Sequence, residues 1–193
     1  MSDGDARAAL GDAVLDEMLN GGIPENRTVL VTGGPGSGKS TLAMQYRQTG
    51  LAAGEDCLYV GTEQTIGELR DSFSGFSFDV DHENLTFVSV HATLGQTTEG
   101  DDELALQSLD DEELLLHVTS PETIDDCVAP FYRSTTDQVL DIWLEDGGLQ
   151  YVTLQKSPCG FVGSTSLVEY VDEPPYLRVQ RPPGTRENPY ACE

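Results

Sequence analysis

Apolar positions along the chain change period several times, and each change marks an element. Val14, Leu15, Met18 and Leu19 share one helical face within residues 12–19, and Gly21-Gly22 closes that helix. Pro24 to Asn26 read as a turn. Thr28 to Thr32 (TVLVT) is a short β-branched run, the pattern of a buried strand. Residues 33–39 are loop, and Ser40 to about Ala53 is expected to continue as a helix. Cys57 to Gly61 (CLYVG) reads as a second buried strand. Thr65 and Glu68 have the spacing of a capping box, which predicts a helix to about Phe73. Leu85 to Val90 (LTFVSV) is a third strand. Strand, helix, strand, helix, strand is the order that builds a parallel sheet with helices on its faces.

The second half follows another rhythm. Residues 99–113 are acidic and weakly periodic, and Leu114 to Thr119 (LLLHVT) reads as a buried strand. Gln138 to Leu144 and Leu149 to Lys156 flank Asp146-Gly147-Gly148, a favourable hairpin turn. Ser166 to Val171 and Tyr176 to Val179 extend the same antiparallel edge. No internal repeat is visible. The 193 residues suit one domain with a core of ordinary size, expected over residues 1–180. The turn-rich end, RPPGTRENPYACE, predicts a flexible tail over residues 181–193.

Charge narrows the partners. Thirty-four acidic residues oppose 10 basic ones, for a net charge of -24, which repels a phosphate backbone and argues against nucleic acid. Asp and Glu are spread along the whole chain while lysine occurs only at Lys39 and Lys156. That distribution predicts a solvated acidic surface suited to high salt, rather than an acidic tail made of a block of like charge. Cys57, Cys127, Cys159 and Cys192 are far apart with no C-x-x-C pair, so zinc is unsupported and reduced thiols are expected. The first residues lack a basic start followed by an apolar stretch, and no apolar run approaches the ~18 residues of a membrane span. A cytoplasmic location is the expectation.

The chemistry is concentrated in one segment. Gly33, Gly34, Pro35, Gly36, Ser37, Gly38, Lys39 and Ser40 match G-x-x-x-x-G-K-[ST] in full, between a predicted strand and a predicted helix. Glycines let backbone N–H groups converge on a phosphate without Cβ clashes, and the following helix presents its positive end to the same anion. Lys39 is placed to reach the β- and γ-phosphates, Ser40 to ligate Mg²⁺, and Thr41 to lie near the α-phosphate. The expected ligands are ATP and Mg²⁺.

Leu15-Asp16, the Gly21-Gly22-Ile23-Pro24 turn, the phosphate loop and Leu58-Tyr59-Val60-Gly61-Thr62-Glu63-Gln64 together resemble the KaiC-type ATPases of the RecA superfamily, above all the forms from salt-loving archaea. The likeness runs from about residue 10 to residue 91. It implies an α/β, RecA-like P-loop NTPase core: a mainly parallel sheet flanked by helices, with a C-terminal antiparallel hairpin. It also implies that Glu63, at the end of the second core strand, polarises the attacking water, although Gln64 stands where the family often has a second acid. Glu63 otherwise serves only as a charge at the start of the next helix.

Other family features are changed here. Between His91 and Leu114 no apolar run ends in the aspartate of a Walker B strand, and Asp141 and Asp146 are the substitutes on offer. A helix and strand near residues 110–116 are expected to be missing relative to longer relatives. In KaiC-like hexamers a lysine in a K-x-R pattern reaches a neighbour's γ-phosphate; Lys156-Ser157-Pro158 keeps the lysine without the arginine, so Lys156 is either that group or a solvated strand-end side chain. His82, His91 and His117 read as structural, Cys57 as core, and Trp143 and Tyr151 as a pair packed across the hairpin.

Three functions compete on this reading. One is a homo-oligomeric regulatory ATPase with slow turnover. The second is a nucleotide-responsive module that binds ATP, does not hydrolyse it and acts through a protein partner. The third, a small phosphate-loop kinase, needs several lid arginines, and between Arg70 and Arg178 there is only Arg133.

Overall fold

A computed structural model describes residues 6–61, 65–89, 115–119, 133–158, 160 and 162–181, with only the backbone of residues 89 and 115–119. The chain begins with β1 (Arg7–Ala8), α1 (Ala13–Met18) and β2 (Ile23–Pro24), where β1 and β2 pair antiparallel. The turn expected at Pro24 therefore starts one residue later. Asp12 caps α1, its carboxylate accepting from the amides of Val14 at 3.0 Å and Leu15 at 2.9 Å. The amides of Gly21 and Gly22 close the helix on the Asp16 carbonyl.

β3 (Thr28–Gly33) runs into α2 (Lys39–Ala53) and then β4 (Cys57–Gly61). α3 (Ile66–Ser72) carries the expected capping box, with Thr65 and Glu68 bonded reciprocally, and β5 (Leu85–Ser89) follows. The remaining elements are β6 (Leu115–Thr119), β7 (Gln138–Leu144), β8 (Gln150–Lys156), β9 (Thr165–Tyr170) and β10 (Leu177–Gln180).

Six strands form one sheet in the order β10-β9-β8-β7-β3-β6. β3 lies at its parallel part, between β6 and β7, while β7-β8-β9-β10 is antiparallel throughout. The expected mainly parallel sheet is thus a mixed one. β7 is the pivot: it belongs to the hairpin and is also the direct parallel neighbour of β3, with Thr32 opposite Asp141 and Gly33 opposite Ile142. β4 and β5 form a separate parallel pair. Among the described residues no strand joins that pair to β6. There is a second departure from expectation: β4 is half-buried rather than buried, and Val60 is 37% exposed.

Two apolar clusters meet on α2. One gathers Leu10, Leu15, Leu19, Val29, Val31, Leu42, Leu140, Ile142, Val152 and Leu154, which fixes α1 and α2 against one face of the six-stranded sheet. The other gathers Met44, Leu69, Phe73, Phe78 and Tyr176, with Tyr59 and Phe87 stacked beside it at 5.4 Å. Burying these side chains offsets the ordering of the chain. Gln45, buried on α2, donates to the Leu10 carbonyl and accepts from the Leu177 amide, while Asp12 also accepts from the Val179 amide at 3.2 Å. These bonds hold β10, far along the sequence, against the start of the chain.

Candidate nucleotide site

The phosphate loop follows β3, which has parallel partners on both sides and lies one strand in from β6 at the end of the described sheet. A Cβ on Gly33 would stand 2.2 Å from the Ile142 carbonyl oxygen, so only glycine lets the two strands approach at that point. Beyond it Gly36 (φ 73°) and Gly38 (φ 84°) are left-handed, and Gly38 is the residue before α2. No side chain caps the start of α2, and a helix N-terminus is the end that favours an anion. A Cβ on Gly34 or Gly36 would meet nothing within 4 Å, which leaves the loop open on that side.

The loop's carbonyls are turned toward the protein. Lys39 Nζ donates to the Gly34 carbonyl at 2.8 Å, Gln150 Nε2 to Gly36 at 3.1 Å, and Tyr170 Oη to Ser37 at 3.1 Å. Ser40 is exposed in the first turn of α2, and Thr41 follows it half-buried. Beside the loop, the Asp141 carboxylate accepts from Thr32 Oγ1 at 2.7 Å and from Gln155 Nε2 at 3.0 Å. Asp146 instead lies exposed in the hairpin turn, away from β3. Of the two candidate acids, Asp141 is the one brought next to the phosphate-loop strand. Tyr170 also borders a shallow cavity of about 450 Å³ with Val171, Asp172, Glu173 and Arg178. Burial pushes the Tyr170 hydroxyl up to about 12, so it remains a donor at neutral pH.

Lys156 sits elsewhere. Its ammonium donates to the carbonyls of Arg133 at 3.2 Å, Ser134 at 3.1 Å and Thr136 at 2.5 Å, within its own chain. Glu63 lies outside the described residues, as do His91, Cys127, Cys159 and Cys192. Cys57, expected in the core, is half-buried, and burial together with Glu55 pushes its thiol up. Trp143 and Tyr151 stack across the hairpin at 4.6 Å, as the alternation predicted. Gln150 and Tyr170 were missed by sequence reasoning. They meet the loop across 114 and 133 residues, and neither belongs to a motif.

The family described as "ATPase: KaiC" matches residues 11–136, which contain β3, the loop and α2. The chain belongs to the KaiC ATPase family. Among curated relatives, the UPF0273 protein SSO1861 of Saccharolobus solfataricus is 48% identical over 66 residues, covering 34% of this chain and 24% of its own. UPF0273 protein PF1931 of Pyrococcus furiosus is 42% identical over 74 residues, covering 38% of this chain and 30% of its own. These matches span about a quarter to a third of the curated relatives' length. The fold is similar to the crystal structure of the KaiC-like protein PH0186 from Pyrococcus horikoshii, with a TM-score of 0.73 at 19% identity, covering 91% of this chain and 99% of that one. It is also similar to the flagellar accessory protein FlaH from Methanocaldococcus jannaschii, with a TM-score of 0.67 at 15% identity, covering 91% and 98%. The KaiC-type, RecA-like architecture expected from the sequence is thereby confirmed. Among the described residues, no helix of this KaiC-family chain is long and apolar enough to cross a membrane.

Proposed function

We propose that this KaiC-family chain binds ATP with Mg²⁺ at the loop Gly33–Thr41 and hydrolyses it slowly as a regulatory ATPase. One observation carries the reading: a phosphate-loop sequence at the uncapped start of α2, its carbonyls engaged by Lys39, Gln150 and Tyr170 on the protein side. An anion there gains the positive end of the helix. Lys39 exchanges its Gly34 carbonyl for the β- and γ-phosphates, and Ser40 supplies the protein's hydroxyl to the metal. Mg²⁺ neutralises charge on the phosphates when bound. Were Mg²⁺ bound there, Asp141, on the strand next to β3, would be the acid of the two candidates placed to help hold it, once released from Thr32 and Gln155.

In this reading Glu63 orients the attacking water, and Lys156 reaches a neighbouring subunit only by giving up its three carbonyl partners. Homo-oligomerisation, a cytoplasmic setting and adaptation to high salt are parts of the same proposal, the last resting on the charge of -24. A second reading, binding without turnover, is favoured by the sequence, which has no apolar run ending in aspartate between His91 and Leu114 and no arginine in the K-x-R position after Lys156. Nucleotide affinity and ATP turnover measured together for wild type, Lys39→Ala and Glu63→Gln separate the readings. The first requires turnover that Lys39→Ala abolishes through binding and Glu63→Gln abolishes with binding retained. Tight binding with no turnover in wild type leaves only the second, and absence of ATP binding overturns both.

A further inference from the structure

We propose that Tyr170 and Gln150 are positioning residues that set the peptide planes of the phosphate loop before any nucleotide arrives, an inference that rests on the loop being the phosphate site. A glycine-rich loop has little conformational preference of its own, so the direction of its amides has to come from elsewhere. The peptide unit is planar and trans, so a C=O held on one side sends the next residue's N–H to the other. Gln150 at the start of β8 holds the Gly36 carbonyl, which sends the Ser37 amide inward, where it reaches the Gly34 carbonyl at 3.2 Å. Tyr170 at the end of β9 holds the Ser37 carbonyl, which sends the Gly38 amide away from Tyr170. That amide is the last before α2, in the place where a phosphate-binding loop must present a donor. The fit is close: a Cβ on Gly38 would stand 1.3 Å from Tyr170 Oη, so glycine at 38 and tyrosine at 170 depend on each other. Both braces come from the antiparallel strands, so the C-terminal half of the sheet acts on the loop without touching the ligand.

The variants are Tyr170→Phe, which keeps the ring and removes the donor, Gln150→Leu, and Gln150→Glu as a further loss of the amide donor. Two measurements are made on the full chain. The first is backbone amide relaxation at Ser37 and Gly38 without nucleotide, expected to show lower order in Tyr170→Phe and in Gln150→Leu. The second is affinity for ATP-Mg²⁺ and for inorganic pyrophosphate, expected to fall about five- to tenfold for each single variant, the equivalent of one hydrogen bond. Pyrophosphate and ATP are to weaken alike, because the brace acts on the phosphate cradle alone, whereas a role in holding the nucleoside would spare pyrophosphate. Unchanged loop order in Tyr170→Phe overturns the proposal whatever the affinities do. Loosened loop amides with unchanged affinity in a wild-type chain that binds ATP also overturn it. Loosened amides in a chain whose wild type binds no ATP leave the brace standing and refute the nucleotide reading instead.

Discussion

Replacing Gly33 by alanine tests whether the close approach of β3 and β7 is what places the loop. The added methyl would meet the Ile142 carbonyl oxygen at 2.2 Å and Ser37 Oγ at 2.5 Å, at a residue with φ of 156°. The serine hydroxyl can rotate, but the carbonyl belongs to the neighbouring strand and moves only if the strand moves. Opening the ladder by about 1 Å costs about 1–3 kcal/mol as overpacking, and the backbone strain adds about 1–2 kcal/mol. For a chain of this size the resulting loss of about 2–5 kcal/mol lowers the melting temperature by about 4–20 °C. Gly34→Ala is the control beside it, because its methyl would meet nothing within 4 Å and its φ is not positive. Gly36→Ala adds only the left-handed penalty of about 1–2 kcal/mol, so the expected order of melting temperature is Gly34→Ala, then Gly36→Ala, then Gly33→Ala. Thermal unfolding followed by circular dichroism without nucleotide reads the series. Melting of Gly33→Ala within about 2 °C of Gly34→Ala, less than the shift expected for 1 kcal/mol, refutes the steric account.

Other consequences can be measured on the same chain. Asp12→Ala removes the cap of α1 and leaves the buried Val179 amide unpaired, for an expected loss of about 2–4 kcal/mol in urea unfolding, and Asp12→Asn recovers part of it. Lys156→Met is expected to cost about 1–3 kcal/mol even in a monomeric sample, because three carbonyls lose a charged donor; an unchanged urea midpoint would show that those contacts carry no stability. Tyr170, raised by burial to about 12 from an ordinary value near 10, stabilises the fold fully below about pH 10, and that contribution is lost as pH climbs through about 12. Urea midpoints between pH 8 and 12 are therefore expected to fall less steeply in Tyr170→Phe than in wild type.

Much of the site was legible because its determinants are local. A phosphate loop is a run of residue types whose backbone freedom and single ammonium group are fixed by composition and order, and the strand before it and helix after it are set by short-range preference. The same holds for the Thr65–Glu68 capping box and the turn at Asp146-Gly147-Gly148 with its stacked Trp143 and Tyr151. Each of these is satisfied within a few residues or across one hairpin.

What the sequence by itself determined, then, was the glycine-rich, lysine-ended pattern of Gly33 to Ser40 and the type and order of most elements around it. Only the tertiary structure decided that β7 pairs in parallel with β3 while also opening the antiparallel half, and that Lys156 turns to its own chain's carbonyls. It likewise decided that Gln150 and Tyr170 reach the loop from more than a hundred residues away. The physical reason is that strand pairing and side-chain reach depend on which surfaces come together when the apolar clusters close on α2. Neither a local preference nor a motif encodes the partner across that distance.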